Sequence, residues 1–325
     1  MFKTLAAMVL WSVAFVPLNL FVLAVFLRQA LSAKPSGRAE KITGNDDELI
    51  RGFVEKNLCY MKERSHDEGL GTRYERMMVD RLLYHLALKH GVKSVLESPA
   101  DGITGVPGAN SLVLADYLKC RVALSNPSQE LLKQALDTWR RHGLAALVSP
   151  VNSPVASLPF ANGHFDLAWS FCMLEKLSRP VEYLRELSRM SPGLVLIVVI
   201  NQSNLGNALH HWYHRIMKAE WDHGHAELTN LRGLVEAFEM AGLEVLETGA
   251  VDVPPSIDTQ DMPLKDDIQR VASLFGRSWE WRLEGSSAGR SGLLEYFRWL
   301  EDNLPDWFKR VNAHHVYVLG RVRRV

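Results

Sequence analysis

The chain has 325 residues, 47% of them hydrophobic and 23% charged, and its basic and acidic side chains balance to a formal net charge of zero. This composition suits a folded protein with a substantial core and excludes a disordered chain, and the lack of a long basic block gives a nucleic-acid-binding surface little support. Cys59, Cys120 and Cys172 lie far apart in sequence, which argues against a disulfide framework or a paired-cysteine zinc site.

No residue from Thr4 to Leu27 is charged, and about 20 apolar residues suffice to cross a bilayer. Residues 1–31 therefore read as a single-pass transmembrane anchor, whose Pro17 and Asn19 bend a membrane helix without forbidding it. A cleaved signal peptide is the rival reading. The run is long for a signal core, however, and Leu31-Ser32-Ala33 is a poor cleavage site. Arg28, Lys34, Arg38 and Lys41 after the run outnumber Lys3 and the free amine before it, so the positive-inside rule places the main domain in the cytoplasm. Residues 32–47, rich in Ser, Gly, Lys and acidic side chains, form a polar linker.

The folded domain is expected over residues 48–325. Leu49, Ile50, Phe53, Val54, Leu58 and Met61 recur at helical spacing, as do Tyr74, Met77, Met78, Leu82, Leu86 and Leu88, which predicts two helices before the first strand. Strands are predicted over Val92–Glu97, Arg121–Ser125, Leu144–Ser149, Phe165–Phe171, Leu194–Ile200, Leu243–Val251 and His315–Val322, with helical patterns such as Ser128–His142 and Arg179–Met190 between the first five. Repeated β-α units imply an α/β fold: a Rossmann-like, seven-stranded, mostly parallel sheet with helices on both faces. The long segment 252–314 begins at Pro254-Pro255, contains Trp279, Trp281, Trp299 and Trp307, and reads as a lid or accessory insertion, or as an extra packing layer.

Several residues could carry chemistry. The first strand ends at Glu97 and continues through Asp101, Gly102 and Gly105, a glycine-bearing turn that lets backbone approach a nucleotide-like ligand. Its spacing is not G-x-G-x-x-G, which disfavours a nicotinamide-dependent oxidoreductase. After the second strand stand Asn126 and Pro127, and after the third Asn152 and Ser153. Beyond the fifth strand, His210, His211, His214, His223 and His225 cluster in HHWYHRIMKAEWDHGH. His211 and His214 are the candidate bases for an acceptor, histidine being the side chain best poised for proton transfer near neutrality. A zinc site lacks a completing acidic partner, so no metal is assigned, and a solvated or membrane-facing helix surface is the plainer alternative.

The stretch Leu158-Pro159-Phe160, Phe165-Asp166, Ser170, Leu174-Glu175-Lys176 resembles the approach to the fourth strand in class I S-adenosylmethionine-dependent methyltransferases, which commonly reads LPF-x-x-x-x-FD-x-V-x-S-x-x-x-L-E-H. Lys176 stands where that family often has His. The resemblance covers about residues 74–252 and resumes at the last strand. It implies the same seven-stranded fold and S-adenosyl-L-methionine as cofactor. Glu97 would take the acidic place after the first strand, with Asp101, Gly102 and Gly105 in the loop around the amino-acid end of the cofactor. Asn126, followed by Pro127, stands where the family usually places an acid for the ribose, and Asn152 or Ser153 where it often supplies an adenine-reading Asp. Ser170 would lie at the ligand edge.

The expected function is a membrane-anchored methyltransferase acting on a small-molecule or lipid acceptor, with no nucleic-acid partner and an open oligomeric state. The alternative is a methyltransferase-fold binding or scaffold protein that has lost turnover, favoured by the neutral residues at positions 126 and 152.

Overall fold

The computed structural model describes residues 70–100, 107–217, 224–253 and 292–323, together with residues 3–13 and isolated positions at 16–17, 20, 24, 273–274 and 276. Seven strands form one sheet: β1 (Ser94–Glu97), β2 (Arg121–Asn126), β3 (Val148–Asn152), β4 (Leu167–Phe171), β5 (Val195–Ile200), β6 (Leu243–Val251) and β7 (His315–Val322). Their order is β3-β2-β1-β4-β5-β7-β6. Neighbours among β1 to β5 pair in parallel, and β7 runs antiparallel between β5 and β6. This is the expected Rossmann-like architecture with its irregular last pair.

The helices are α1 (residues 3–13), then α2 (Leu70–His90), α3 (Leu112–Leu118), α4 (Gln129–Arg141), α5 (Pro180–Met190), α6 (Leu205–Met217), α7 (Leu231–Met240), α8 (Gly292–Asn303) and α9 (Asp306–Asn312). Local chemistry sets their ends. Ser128 caps α4 by accepting the Leu131 amide, and Leu131, Ala135 and Trp139 then bury one stripe. Proline opens α5, where its missing N–H costs nothing, and Tyr183, Leu184, Leu187 and Met190 face the sheet. Strand β5 reads VLIVVI because a central parallel strand is covered on both faces.

One expectation is corrected. The third strand is not Leu144–Ser149: residues Ala145–Leu147 form a 3-10 turn, and β3 runs Val148–Asn152. Pro150 does not end it, because β3 is an edge strand and an edge tolerates a residue without an N–H. The expected transmembrane segment is described only in part, and among the described residues no helix is long and apolar enough to cross a membrane. In α1, Ala7 and Trp11 are 0% and 8% exposed and pack in a second core cluster with residues of α2, β6, α8 and α9, so this face is occupied by protein. Residues 32–69, holding the expected linker and the first predicted helix, lie outside the described residues. In the insertion, α8 contributes Leu294, Phe297 and Leu300 to that second cluster; this part is a packing layer.

Asp166, from the Phe165-Asp166 pair of the motif before the fourth strand, sits at the rim where β1 begins. Its Oδ2 accepts the amides of Lys93 and Ser94 at 2.9 and 2.8 Å and the Ser94 hydroxyl at 2.9 Å. Partial burial pushes this carboxyl up, but those donors together hold it below the usual range. Asp166 fastens β4 to β1 at the edge away from the ligand crevice.

Candidate active site

The parallel strands all end at one rim, and strand order reverses between β1 and β4, the place where open α/β sheets leave a crevice. Register sets Glu97 opposite Trp169. Glu97 is buried, and its Oε2 accepts the Ser111 hydroxyl at 2.5 Å, while Ser111 accepts the Trp169 indole N–H at 3.0 Å. Ser111 leads α3 but makes no side-chain cap there; its hydroxyl fixes the carboxylate at the end of β1 instead. Asp101, Gly102 and Gly105 lie outside the described residues. The loop re-emerges at Pro107 and presses onto α4: Gly108 has φ +73°, a Cβ there would stand 2.6 Å from that of Ala135, and its carbonyl accepts the Trp139 indole N–H at 2.8 Å.

The ends of β2 and β3 are neutral and tied together. Asn126 is fully buried; its Nδ2 donates to the Ala100 carbonyl, and its Oδ1 accepts the Ser128 amide at 2.7 Å. Asn152 donates through Nδ2 to the carbonyls of Asn126 and Pro127, both at 3.0 Å. The hydroxyls of Ser125 and Ser153 lie 2.8 Å apart. Ser170 is buried beside the Tyr183 hydroxyl, which donates to the Ser98 carbonyl. Six sequence candidates thus gather at the rim between β3 and β4: Glu97, Asn126, Pro127, Asn152, Ser153 and Ser170.

His211 lies exposed on α6 beyond β5, on the other half of the rim. His214 belongs to the same helix, and its side chain lies outside the described residues, as does His223. His225 pairs with Glu227 at 3.2 Å in an exposed position. Among the described residues no group of three or more side chains could hold a metal ion.

Sequence reasoning missed a second constellation on that half. Asp252, just after β6, lies with its Oδ2 2.8 Å from His314 Nδ1 and 3.9 Å from His315 Nδ1. Behind it, Glu301 of α8 accepts the amides of Asp252 and Val253 and the Tyr74 hydroxyl. Burial pushes the Glu301 carboxyl up to about 7; the Val253 amide opposes that shift and the Asp252 carboxylate adds to it. Burial and the adjacent Glu301 raise the Tyr74 phenol as well. The available signal was the doubled histidine opening the last strand, which the sheet places opposite the end of β6.

A nucleoside-bearing cofactor offers hydroxyls, an amino group and ring nitrogens. One carboxylate, two amides and a hydroxyl pair at adjacent strand ends fit such a ligand in chemistry and place, with an amide where a charged ribose acceptor would bind more strongly.

Residues 104–197, from the loop after β1 into β5, match the sequence family described as Methyltransferase domain. A search of curated proteins found no match. Among solved structures the chain is similar to the [4+2]-cyclase SpnF, at 18% identity and TM-score 0.47 over 76% of this chain and 81% of that one. It is similar to a methyltransferase in complex with the Trm112 methyltransferase activator of Haloferax volcanii, at 15% identity and TM-score 0.48 over 86% and 99%. A SAM-dependent methyltransferase from Aquifex aeolicus matches at 19% identity and TM-score 0.43 over 60% and 92%. Residues 104–197 thus carry a likeness to a methyltransferase domain, which supports S-adenosylmethionine as cofactor, and the seven-stranded sheet fits it.

Proposed function

We propose that the chain is an S-adenosylmethionine-dependent methyltransferase acting on a small or lipophilic acceptor at a membrane. One observation carries the reading: inside the matched segment, the ends of β2, β3 and β4 bring nucleoside-reading groups to the strand-order reversal, beside Glu97 of β1. The cofactor supplies a methyl group already activated on a sulfonium, so the protein has chiefly to bind, align the acceptor and exclude water. In this reading Glu97 takes the amino-acid end together with the loop of Asp101, Gly102 and Gly105. Asn126 with Pro127 meets the ribose, Asn152 and Ser153 meet the base, and Ser170 backs the crevice. His211 and His214 of α6 are the candidate bases for the acceptor in this reading.

Titration calorimetry of the full-length protein in detergent with S-adenosylhomocysteine tests this. One bound equivalent is expected; no heat at millimolar ligand would sink it. A second reading, a binding or scaffold protein without turnover, draws on Asn126, whose amide is engaged at both ends within the protein. That reading gains if S-adenosylhomocysteine does not bind.

The membrane part of the proposal draws on the uncharged run from Thr4 to Leu27 and on Leu5, Val9 and Val13, which repeat every four residues along α1 and are exposed. The excess of basic residues after the run supports a cytoplasmic side for the domain in this reading. Retention in the pellet after carbonate extraction is expected, and release into the soluble fraction would refute the anchor.

A further inference from the structure

The groups around Asp252 form a device at the rim that the cofactor reading leaves unused. Asp252 holds φ +70°, a conformation that a non-glycine residue keeps only where its surroundings fix it. Glu301 fixes it, accepting the Asp252 amide at 2.9 Å through Oε1 and, through Oε2, the Val253 amide at 3.0 Å and the Tyr74 hydroxyl at 2.7 Å. The backbone is held once more where the His314 amide donates to the Asp252 carbonyl at 2.8 Å. The Asp252 carboxylate is thereby held against His314, 2.8 Å from its Nδ1, with His315 Nδ1 3.9 Å away.

Register tells which side of the sheet this reaches. Phe171 pairs with Val198, Val198 with Tyr317, and Ile200 with His315. Because side chains alternate along a strand, Phe171 and His315 share one face, and their ring centroids lie 4.9 Å apart. Glu97 and Trp169 share that face through their own pairing. Three strand spacings, about 14 Å in all, separate the ends of β1 and β7 along the rim. One face of the rim therefore carries a carboxylate at its cofactor end and an imidazole close to a second carboxylate at its other end, with two aromatic rings between.

We propose that His315, with the Asp252 carboxylate 3.9 Å from its Nδ1, is the proton-accepting residue of the acceptor site, and that the acceptor is a neutral hydroxyl compound whose oxygen must lose its proton as it is methylated. The proposal rests on the methyltransferase reading. The acceptor oxygen gains the methyl carbon, the electron pair of the broken carbon–sulfur bond stays on sulfur, and the hydroxyl proton passes to the imidazole. One positive charge leaves the sulfonium and one appears on His315, where the Asp252 carboxylate stabilises it. His314 and Glu301 are positioning residues. Among the described residues, the ionisable groups facing His315 are Asp252 and His314, with Glu301 and Tyr74 behind Asp252. From the turn after β4 comes the buried Glu175, beside the Ile200 amide; Phe171 and Ile200 are neutral.

The test uses the full-length protein, radiolabelled S-adenosylmethionine and two probe acceptors, phenol and 4-nitrophenol, at a pH where only the second is ionised. His315→Gln should lose about 100-fold more transfer to phenol than to the nitrophenolate, since only phenol needs a base. Asp252→Asn should show the same bias more weakly. Equal losses on both probes, which a merely structural role would give, overturn the proposal. So does a wild type that binds S-adenosylhomocysteine by calorimetry yet methylates neither probe; absence of that binding would strike the methyltransferase reading itself. A readout without cofactor or acceptor is the titration of the histidine ring resonances in the unloaded protein. Asp252→Asn should move the His315 midpoint to lower pH, because a facing carboxylate favours the charged ring. An unmoved midpoint overturns the proposal.

Discussion

The two halves of the rim are built from opposite materials. Around β1, β2 and β3 the side chains are mostly neutral: Asn126 and Asn152 bond to nearby backbone, and Ser125 meets Ser153. Around β5, β7 and β6 the chain buries two carboxylates, two histidines and a tyrosine within a few contacts. Buried ionisable groups are costly unless each is paired, and this cluster meets that cost with backbone amides and a strained residue. The neutral half can exchange its hydrogen bonds for a ligand's with little penalty, whereas the charged half holds a fixed geometry before any ligand arrives. Such preorganisation is what proton transfer needs.

The contrast can be broken hardest at Glu301. Glu301→Ala leaves two backbone N–H groups and the Tyr74 hydroxyl without their acceptor, and should cost about 4 kcal/mol of stability by urea unfolding. A loss under about 1 kcal/mol would mean that the charged half is not the rigid one. Next in size is a pH effect. The Glu301 carboxyl, ordinarily near 4.5, is pushed up to about 7 in the folded protein, so the native state holds that proton more tightly than the unfolded chain. The stability it contributes is complete below pH 4.5 and is lost as pH rises through about 7, a change of about 3 kcal/mol. Urea midpoints across this window should fall for the wild type and flatten for Glu301→Gln; parallel curves would contradict the shift. The smallest effect belongs to the neutral half. Asn126→Asp places a charged acceptor at the end of β2 and should tighten S-adenosylhomocysteine about tenfold by calorimetry. It should also lower Tm, because the amide donor to Ala100 is lost. Unchanged affinity would remove Asn126 from the cofactor site.

The parts of the fold legible in the sequence were those written in local chemistry. Ser128 announces α4 by capping it, Pro180 opens α5, and the continuous apolar run of β5 marks a strand covered on both sides. The third strand was misplaced because the apolar run Leu144–Leu147 looks like a strand in one dimension, while Pro150 looks like its end; only the edge position of β3 in the sheet reverses both judgements. Glu97 and Asn126 were legible as rim residues because each stands at the end of a strand that the pattern locates. The Asp252 cluster was not: Tyr74 and Glu301 lie 227 residues apart and meet only when α2 and α8 pack together. Asp166 shows the reverse case, a motif residue easy to find whose place in the sheet is structural.

Trp11 gives the amino-terminal segment a different mechanical character from a tether. Its ring stands edge-on to Phe308 of α9 at 5.0 Å, and it shares a packed cluster with Tyr74, Val251 and Ala313, the immediate neighbours of the residues that aim Asp252. A leash can be cut without consequence; a wall cannot. Trimming the chain before α1 ends would strip one side from that cluster.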